Sequence, residues 1–238
     1  MLLYAITDRA SLAQDYEKSS QKLINLSANW ASQGVNLIQI REKSASYENL
    51  LPLTRKIVEA VRQGRGRTRI LVNADLVIST PVALEAGADG VHIPGGFLPE
   101  ELAKDIAEIH SQWAGRRHSA NSPTLTGPTI TVACHTAADV QAARNAGATL
   151  GLFAPVFEKA LPGRSSLPGK GLDELAIACR VGRRHAVQPE LPVLALGGVT
   201  LANAAQCVAA GAAGIAAIRL FLEEEANPDR DWRSLTGI

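Results

Sequence analysis

Gly197 and Gly198 close the apolar run Val193-Leu194-Ala195-Leu196 and open a helical pattern at Thr200, and a further apolar segment, Gly214 to Phe221, follows. Without a Cβ, a glycine pair lets a ligand oxygen reach main-chain amides and opens positive φ at no steric cost. Amides at the start of the following helix favour an anion. The small residues Gly214-Ile215-Ala216-Ala217-Ile218 bring a second set of amides, those of Ala217 and Ile218 included, to face the same charge. The chemistry this implies is capture of a phosphorylated small molecule; the plain alternative is a strand-to-helix turn. His135 is the best candidate for moving a proton, because an imidazole titrates near neutrality and this one sits between the apolar stretch Thr129 to Cys134 and the start of a helix, which disfavours its charged form. Thr136 reads as the cap of that helix, with Asp139 in a capping-box position.

Side chains alternate along a strand, so Gln39, Arg41 and Lys43 share one face and Ile38 and Ile40 the other. Two cations on one face need anionic company, supplied either by a ligand or by Asp8 and Glu42 as a structural network. Asn73 and His92 stand at the ends of two further strands, and Glu158 and Lys159 follow another. His92 falls inside an apolar strand and reads as a buried, hydrogen-bonded structural residue.

The elements that must position these groups alternate along the whole chain. Strand patterns fall at 2–7, 35–41, 69–73, 90–94, 129–134, 150–157, 192–198 and 214–221, and helical patterns at 18–33, 46–63, 76–86, 99–111, 136–147, 171–184, 200–211 and 228–236. Short strands that are apolar on both faces, separated by amphipathic helices, predict a parallel sheet, and eight such units predict a single (β/α)8 barrel over residues 1–238, with an open doubly wound sheet as the alternative. Barrel chemistry gathers at the C-terminal ends of strands, where all the residues singled out above lie. The polar stretch at about 112–128 is predicted to be a mobile insertion on the opposite face, away from the chemistry.

The 238 residues carry 24 basic against 23 acidic side chains, which gives no electrostatic case for nucleic acid; the short basic clusters, Arg62 to Arg69 and Arg116 to His118, read as solvated faces. Three scattered cysteines, Cys134, Cys179 and Cys207, have no metal-ligand spacing and point to a reducing compartment. Neither a leader-like start nor an apolar run of the ~18 residues needed to span a membrane is present. A cytoplasmic protein without membrane contact is expected; self-association into a homo-oligomer stays open.

In order along the chain, IQIREK (38–43), Asn73, ADGVHIP (88–94), VACHT (132–136), FAPVFEK (153–159), VLALGG (193–198) and GIAAI (214–218) resemble the thiamine phosphate synthase/TenI family, over Leu3 to about Phe221. The resemblance implies a (β/α)8 barrel. In its synthase branch, two aspartates hold magnesium on a pyrimidine diphosphate that is joined to thiazole phosphate; the matching positions here are Ala74 and Phe97, with Asp75 one residue out of register. Alanine and phenylalanine offer no hard oxygen. Ala133 replaces the usual Ser of the strand-five motif, and residues 158–164 replace a Thr-rich diphosphate loop. The TenI branch, thiazole tautomerases, is similar at these same places and carries a strand-five His matching His135.

That resemblance implies His135 as acid/base and a phosphorylated thiazole as the bound small molecule. It implies substrate contacts from Gln39, Arg41, Lys43, Asn73 and Lys159, with Arg41 and Lys43 meeting a carboxylate, and phosphate contacts from Gly171, Gly197, Gly198, Ala217 and Ile218. No metal or cofactor is expected unless the synthase reading holds, which would bring Mg²⁺. A non-catalytic thiazole- or thiamine-phosphate-binding protein is a further alternative, as is an unrelated phosphosugar reaction on the same scaffold.

Overall fold

The computed structural model describes residues 1–64, 67–115, 127–161, 164–183, 189–223 and 232. Eight parallel strands close into a barrel: β1 (Leu2–Ile6), β2 (Leu37–Arg41), β3 (Arg69–Asn73), β4 (Gly90–Ile93), β5 (Thr129–Cys134), β6 (Leu150–Phe153), β9 (Val193–Leu196) and β10 (Gly214–Ala217), with β10 returning to pair with β1. The helices between them are α1 (Tyr16–Ser32), α2 (Tyr47–Gln63), α3 (Leu76–Ala86), α4 (Pro99–Ala114), α5 (Ala137–Ala146), α6 (Gly171–Gly182) and α7 (Leu201–Ala209). The open-sheet alternative falls with the β10–β1 pairing.

Alternation along each strand sorts the apolar residues into two cores. Leu3, Ala5, Ile38, Ile40, Ile70, Val72, Val91, Ile130, Val132, Val193 and Ile215 face outward and pack with the helices. Tyr4, Ile6, Leu37, Leu71, Leu150, Leu152, Leu194 and Ala216 fill the barrel interior. Because inward and outward positions are both buried, the strands read as continuous apolar runs rather than as alternating ones.

The chain departs from the expected segmentation at three places. β6 stops at Phe153, four residues short of the expected end, and a cis Ala154–Pro155 peptide follows. An antiparallel hairpin then forms from β7 (Lys159–Leu161) and β8 (Arg164–Leu167), in a segment read from sequence only as a remodelled loop. The last strand ends at Ala217 instead of Phe221, and Arg219–Glu223 form a short helix, α8. Helix α4 runs three residues further than expected, to Ala114, so residues 112–114 are helical; most of the expected insertion, 116–126, lies outside the described residues. The helix expected at 228–236 lies outside them too, except Trp232, which packs on Phe221 at 4.7 Å between ring centroids.

The N-terminal end of the barrel is held by one buried carboxylate. Asp89, just before β4, accepts from the Ile70 amide at 2.7 Å and from Arg62 Nη2 at 2.6 Å, so the helix end of α2 is stapled to β3 and β4. The basic residue Arg62 is thus an ion-pair partner and not merely a solvated charge. Replacing Asp89 by Ala leaves a buried amide without an acceptor, which costs roughly 1–3 kcal/mol. Urea denaturation of Asp89→Ala is expected to show a lower midpoint with an unchanged slope; an unchanged midpoint would show that the staple contributes nothing.

Candidate active site

At the opposite end, the strand C-termini surround a cavity of about 930 Å³ lined by Gln39, Arg41, Lys43, Asn73, His92, His135, Glu158, Gly197, Gly198, Ala217, Ile218 and Arg219, among others. Nearly all the residues picked out from sequence therefore converge. Gly171 does not line it: its N–H is donated to Val156 O at 2.9 Å, so the phosphate role expected of Gly171 has no free donor. Lys159 opens β7 directly after Glu158; its side chain lies outside what the structure describes.

The glycine pair forms the turn between β9 and α7, with φ of +95° at Gly197 and +64° at Gly198. A Cβ on Gly197 would fall 2.8 Å from Pro155 Cα, and one on Gly198 would fall 2.7 Å from Glu158 O. Both positions demand glycine on conformation and on space. The turn is held from below by the β6 loop, where Phe157 N–H donates to Gly197 O at 3.0 Å and Val156 N–H to Leu196 O at 2.9 Å. No acceptor among the described residues takes the N–H of Gly198 or of Ile218. The N-terminus of α7, at Thr200 and Leu201, opens on the same corner of the cavity, and the exposed Arg219 stands beside it. Backbone donors and one guanidinium grouped in this way are chemically suited to an anion.

His135 leaves β5 with its backbone pinned. Asp139 Oδ2 accepts from the amides of His135 and Thr136 at 2.7 and 2.9 Å, and Thr136 Oγ1 accepts from Asp139 N at 3.1 Å, the capping arrangement expected for α5. The ring is pinned too: Nδ1 lies 2.8 Å from Ala154 O. A carbonyl oxygen only accepts, so Nδ1 carries the hydrogen, and in the neutral ring the lone pair is then on Nε2. Nε2 rests over Gly95, where a Cβ would come within 2.7 Å of it. An exposed, oriented imidazole with a free nitrogen on the cavity is equipped to take and return a proton.

Arg41 and Lys43 face the cavity without an ion-pair partner among the described residues. Glu42, between them in sequence, points the other way and is clasped by Arg9, with Oε2 at 3.2 Å from Nε and 3.1 Å from Nη2. Burial raises the Glu42 carboxyl above the usual carboxylate range, and the Arg9 bonds oppose that rise. The structural network of Arg41 and Lys43 with Glu42, held open from sequence, is therefore not formed. Arg9 was missed by sequence reasoning, since nothing in ITDRA marks it as Glu42's partner.

Sequence reasoning also missed the polar chain beneath the cavity. Tyr4 OH donates to Gln39 Oε1 at 3.0 Å, Tyr4 OH and Thr131 Oγ1 are 3.2 Å apart, and Thr131 Oγ1 is 2.8 Å from His92 Nδ1. All four residues are buried. Gln39 is thus committed at its oxygen to Tyr4, and His92 is hydrogen-bonded as its apolar surroundings suggested. Burial first, then the nearby charges of Lys43 and Arg41, push the His92 imidazole down to about 3, so it stays neutral. The available signal was the inward register of Tyr4 and Thr131, both polar among apolar neighbours. Cys134, outward on β5, is a buried thiol held up at about 12 by desolvation, in keeping with a packing role.

A magnesium ion of the synthase kind asks for several hard oxygens. Asn73 is followed by Ala74, which is buried, and Phe97 packs against the core. Asp75 caps α3, accepting from Val77 N at 3.0 Å. Glu158 is the one carboxylate among the lining residues, and no group of three His, Cys, Asp or Glu side chains able to hold a metal forms among the described residues. These residues do not fit a protein-held Mg²⁺.

Gly198→Ala should weaken binding of inorganic phosphate by calorimetry by tenfold or more, equal to about 1.4 kcal/mol. Affinity within twofold of the parent would remove the glycine turn from the anion site.

A family model and the curated relatives point to one family, and the solved structures to one fold. A family model described as thiamine monophosphate synthase matches residues 3–113 and 117–221. The chain is 29% identical over 240 residues to a protein of Roseiflexus sp. (strain RS-1) named thiamine-phosphate synthase, covering 100% of this chain and 84% of the relative. It is 30% identical over 210 residues to a protein of the same name from Chloroflexus aurantiacus, covering 86% and 81%. Among solved structures, thiamine phosphate pyrophosphorylase from Pyrococcus furiosus superposes with a TM-score of 0.68 at 22% identity, covering 99% of this chain and 95% of that one. The N-acetylmannosamine-6-phosphate 2-epimerase of Clostridium perfringens shares the fold alone, with a TM-score of 0.58 at 11% identity over 94% and 91% of the two chains. The chain belongs to the thiamine monophosphate synthase/TenI family of thiamine biosynthesis.

Proposed function

We propose that the protein is a metal-independent tautomerase that aromatises a thiazole phosphate carboxylate. The observation that carries this reading is the state of His135: a ring fixed through Nδ1 to Ala154 O at 2.8 Å, with Nε2 free, in a cavity whose lining offers three cations and a single carboxylate. Tautomerisation needs one group that takes a proton from the ring carbon and returns one to the exocyclic carbon. It also needs a grip on two anions. The phosphate seats on the Gly198 and Ile218 amides with Arg219 alongside, and the carboxylate lies against Arg41 and Lys43, where a guanidinium can meet it in bidentate fashion. Asn73 and the amide of Gln39 border the ring, and Lys159 is assigned to the substrate's rim by its place after Glu158. Both steps proceed without a divalent cation.

A second reading, thiamine-phosphate synthase, is favoured by the names of the relatives. Joining a pyrimidine diphosphate to thiazole phosphate needs the leaving diphosphate neutralised. Here Arg41, Lys43 and Arg219 would have to do alone what aspartate-held magnesium does in the family's synthases.

The two readings separate in one assay. With EDTA present, the purified protein should convert the thiazole tautomer to the aromatic carboxylate, and His135→Ala should lower kcat by about 10²-fold or more. Magnesium-dependent formation of thiamine phosphate, together with an inert thiazole tautomer, would replace the first reading by the second. Unchanged turnover in His135→Ala would remove His135 from the mechanism.

A further inference from the structure

His92 has no part in that mechanism, yet it lines the cavity with one ring nitrogen committed and the other without a partner among the described residues. What Nε2 offers a ligand is fixed by the chain behind it. With Gln39 Oε1 turned to Tyr4, the phenol hydrogen goes to the amide oxygen, so the Tyr4 oxygen accepts from Thr131 and Thr131 Oγ1 accepts from His92 Nδ1–H. In this ordering Nε2 is a bare acceptor. The same heavy-atom positions serve a second ordering. If the Gln39 amide turns over, its NH₂ donates to Tyr4, Tyr4 donates to Thr131, Thr131 donates to Nδ1, and Nε2 carries the hydrogen.

We propose that an anionic ligand between Arg41 and Lys43 selects this second ordering, turning His92 Nε2 into a donor and His92 into a neutral electrophile on the cavity floor. The tautomer changes by exchange with cavity water, which delivers a proton to Nε2 and takes up the one released from Nδ1, and both hydroxyl hydrogens swing over by rotation, so the hydrogen-bonded network carries the same charge before and after. The selection follows from position. His92, Arg41 and Lys43 line one cavity, so an anionic oxygen held by the two cations there shares that cavity with the His92 ring. A lone pair there repels that oxygen and an N–H attracts it. When the ring proton of the substrate departs, negative charge spreads into the carboxylate, and a neutral N–H donor gains strength as it does so, as electrophilic histidines of depressed pKa do elsewhere. His92 touches the ligand; Thr131 and Tyr4 are positioning residues that act through it. The proposal rests on the reading of the cavity as a site for a thiazole phosphate carboxylate.

Nitrogen-15 NMR of histidine-labelled protein reads the tautomer directly. In the free protein, Nδ1 of His92 should be pyrrole-type and Nε2 pyridine-type. Saturation with the aromatic thiazole phosphate carboxylate should exchange the two, whereas inorganic phosphate, which fills only the glycine cradle, should not. A complex registered by other resonances in which Nε2 of His92 stays pyridine-type, or in which both nitrogens are protonated, overturns the proposal and leaves the functional reading standing. No binding of the carboxylate, with no turnover, overturns both.

Thr131→Val removes the hydroxyl at nearly constant volume and should lower kcat roughly tenfold or more with little change in KM. Thr131→Ser should restore most of the loss. A Thr131→Val enzyme with parental kcat would likewise overturn the proposal.

Discussion

Closing eight parallel strands into a barrel forces every second residue of each strand inward, where it has only other strand residues for company. Five of those positions near the C-terminal end are polar: Gln39, Asn73, His92, Thr131 and, one layer down, Tyr4. An interior filled with Leu and Ala alone would satisfy packing; a polar layer must satisfy itself as well, because an unpaired buried donor costs more than a paired one contributes. The bond sequence from Gln39 through Tyr4 and Thr131 to His92 crosses the barrel from β2 by way of β1 and β5 to β4 and ties four of the five together. This layer lies between the apolar lower barrel and the cavity.

Above that floor the charge is lopsided. Arg41, Lys43 and Arg219 reach the cavity, and Glu42, the acid best placed in sequence to neutralise them, is held away by Arg9, which in turn donates to Ser19 Oγ at 3.0 Å and lies over the Tyr16 ring at 4.3 Å. The clasp matters because Glu42 stands between two cations just past the end of β2. Alternation alone turns it outward, and the ion pair with a carboxylate only 10% exposed keeps it there. The remaining positive charge is left for a ligand to balance.

Much of the barrel was legible in the sequence because strand, helix and turn signals repeat with the β/α unit. Gly87 and Gly147, each in an Ala-Gly-Ala run, take φ of +79° and +86° as C-caps of α3 and α5. The ends of β6 and β10 were not legible. Ala154-Pro155-Val156-Phe157 and Arg219-Leu220-Phe221 are as apolar as a strand, and they bury Val156 and Phe221 without being in the sheet, so hydropathy could not tell core from ladder. In the site, residue type and strand phase located His135, Arg41, Lys43 and the glycine turn. They could not locate Arg9 or the Tyr4–Thr131 link, whose partners are 33 and 127 residues away and meet only once the barrel is closed. Gly171 failed for a local reason: a glycine at a helix start has an amide suited to an anion, but here the β6 loop takes it first.

The two working corners of the cavity are not independent, because one short segment builds both. Ala154 supplies the carbonyl that orients His135; three residues on, the Phe157 amide holds Gly197 O, and Glu158 O closes against Gly198. The turn at Pro155 packs under Gly197 at a distance that admits no side chain. Any displacement of Ala154–Glu158 would therefore act on His135 and on the glycine turn at once. For a reaction that tethers a ring by its phosphate and transfers a proton at the ring, the separation of the two is the quantity that matters. Lys170 N–H and Gly171 N–H return to Pro155 O and Val156 O at 2.9 Å and lock the segment from the other side.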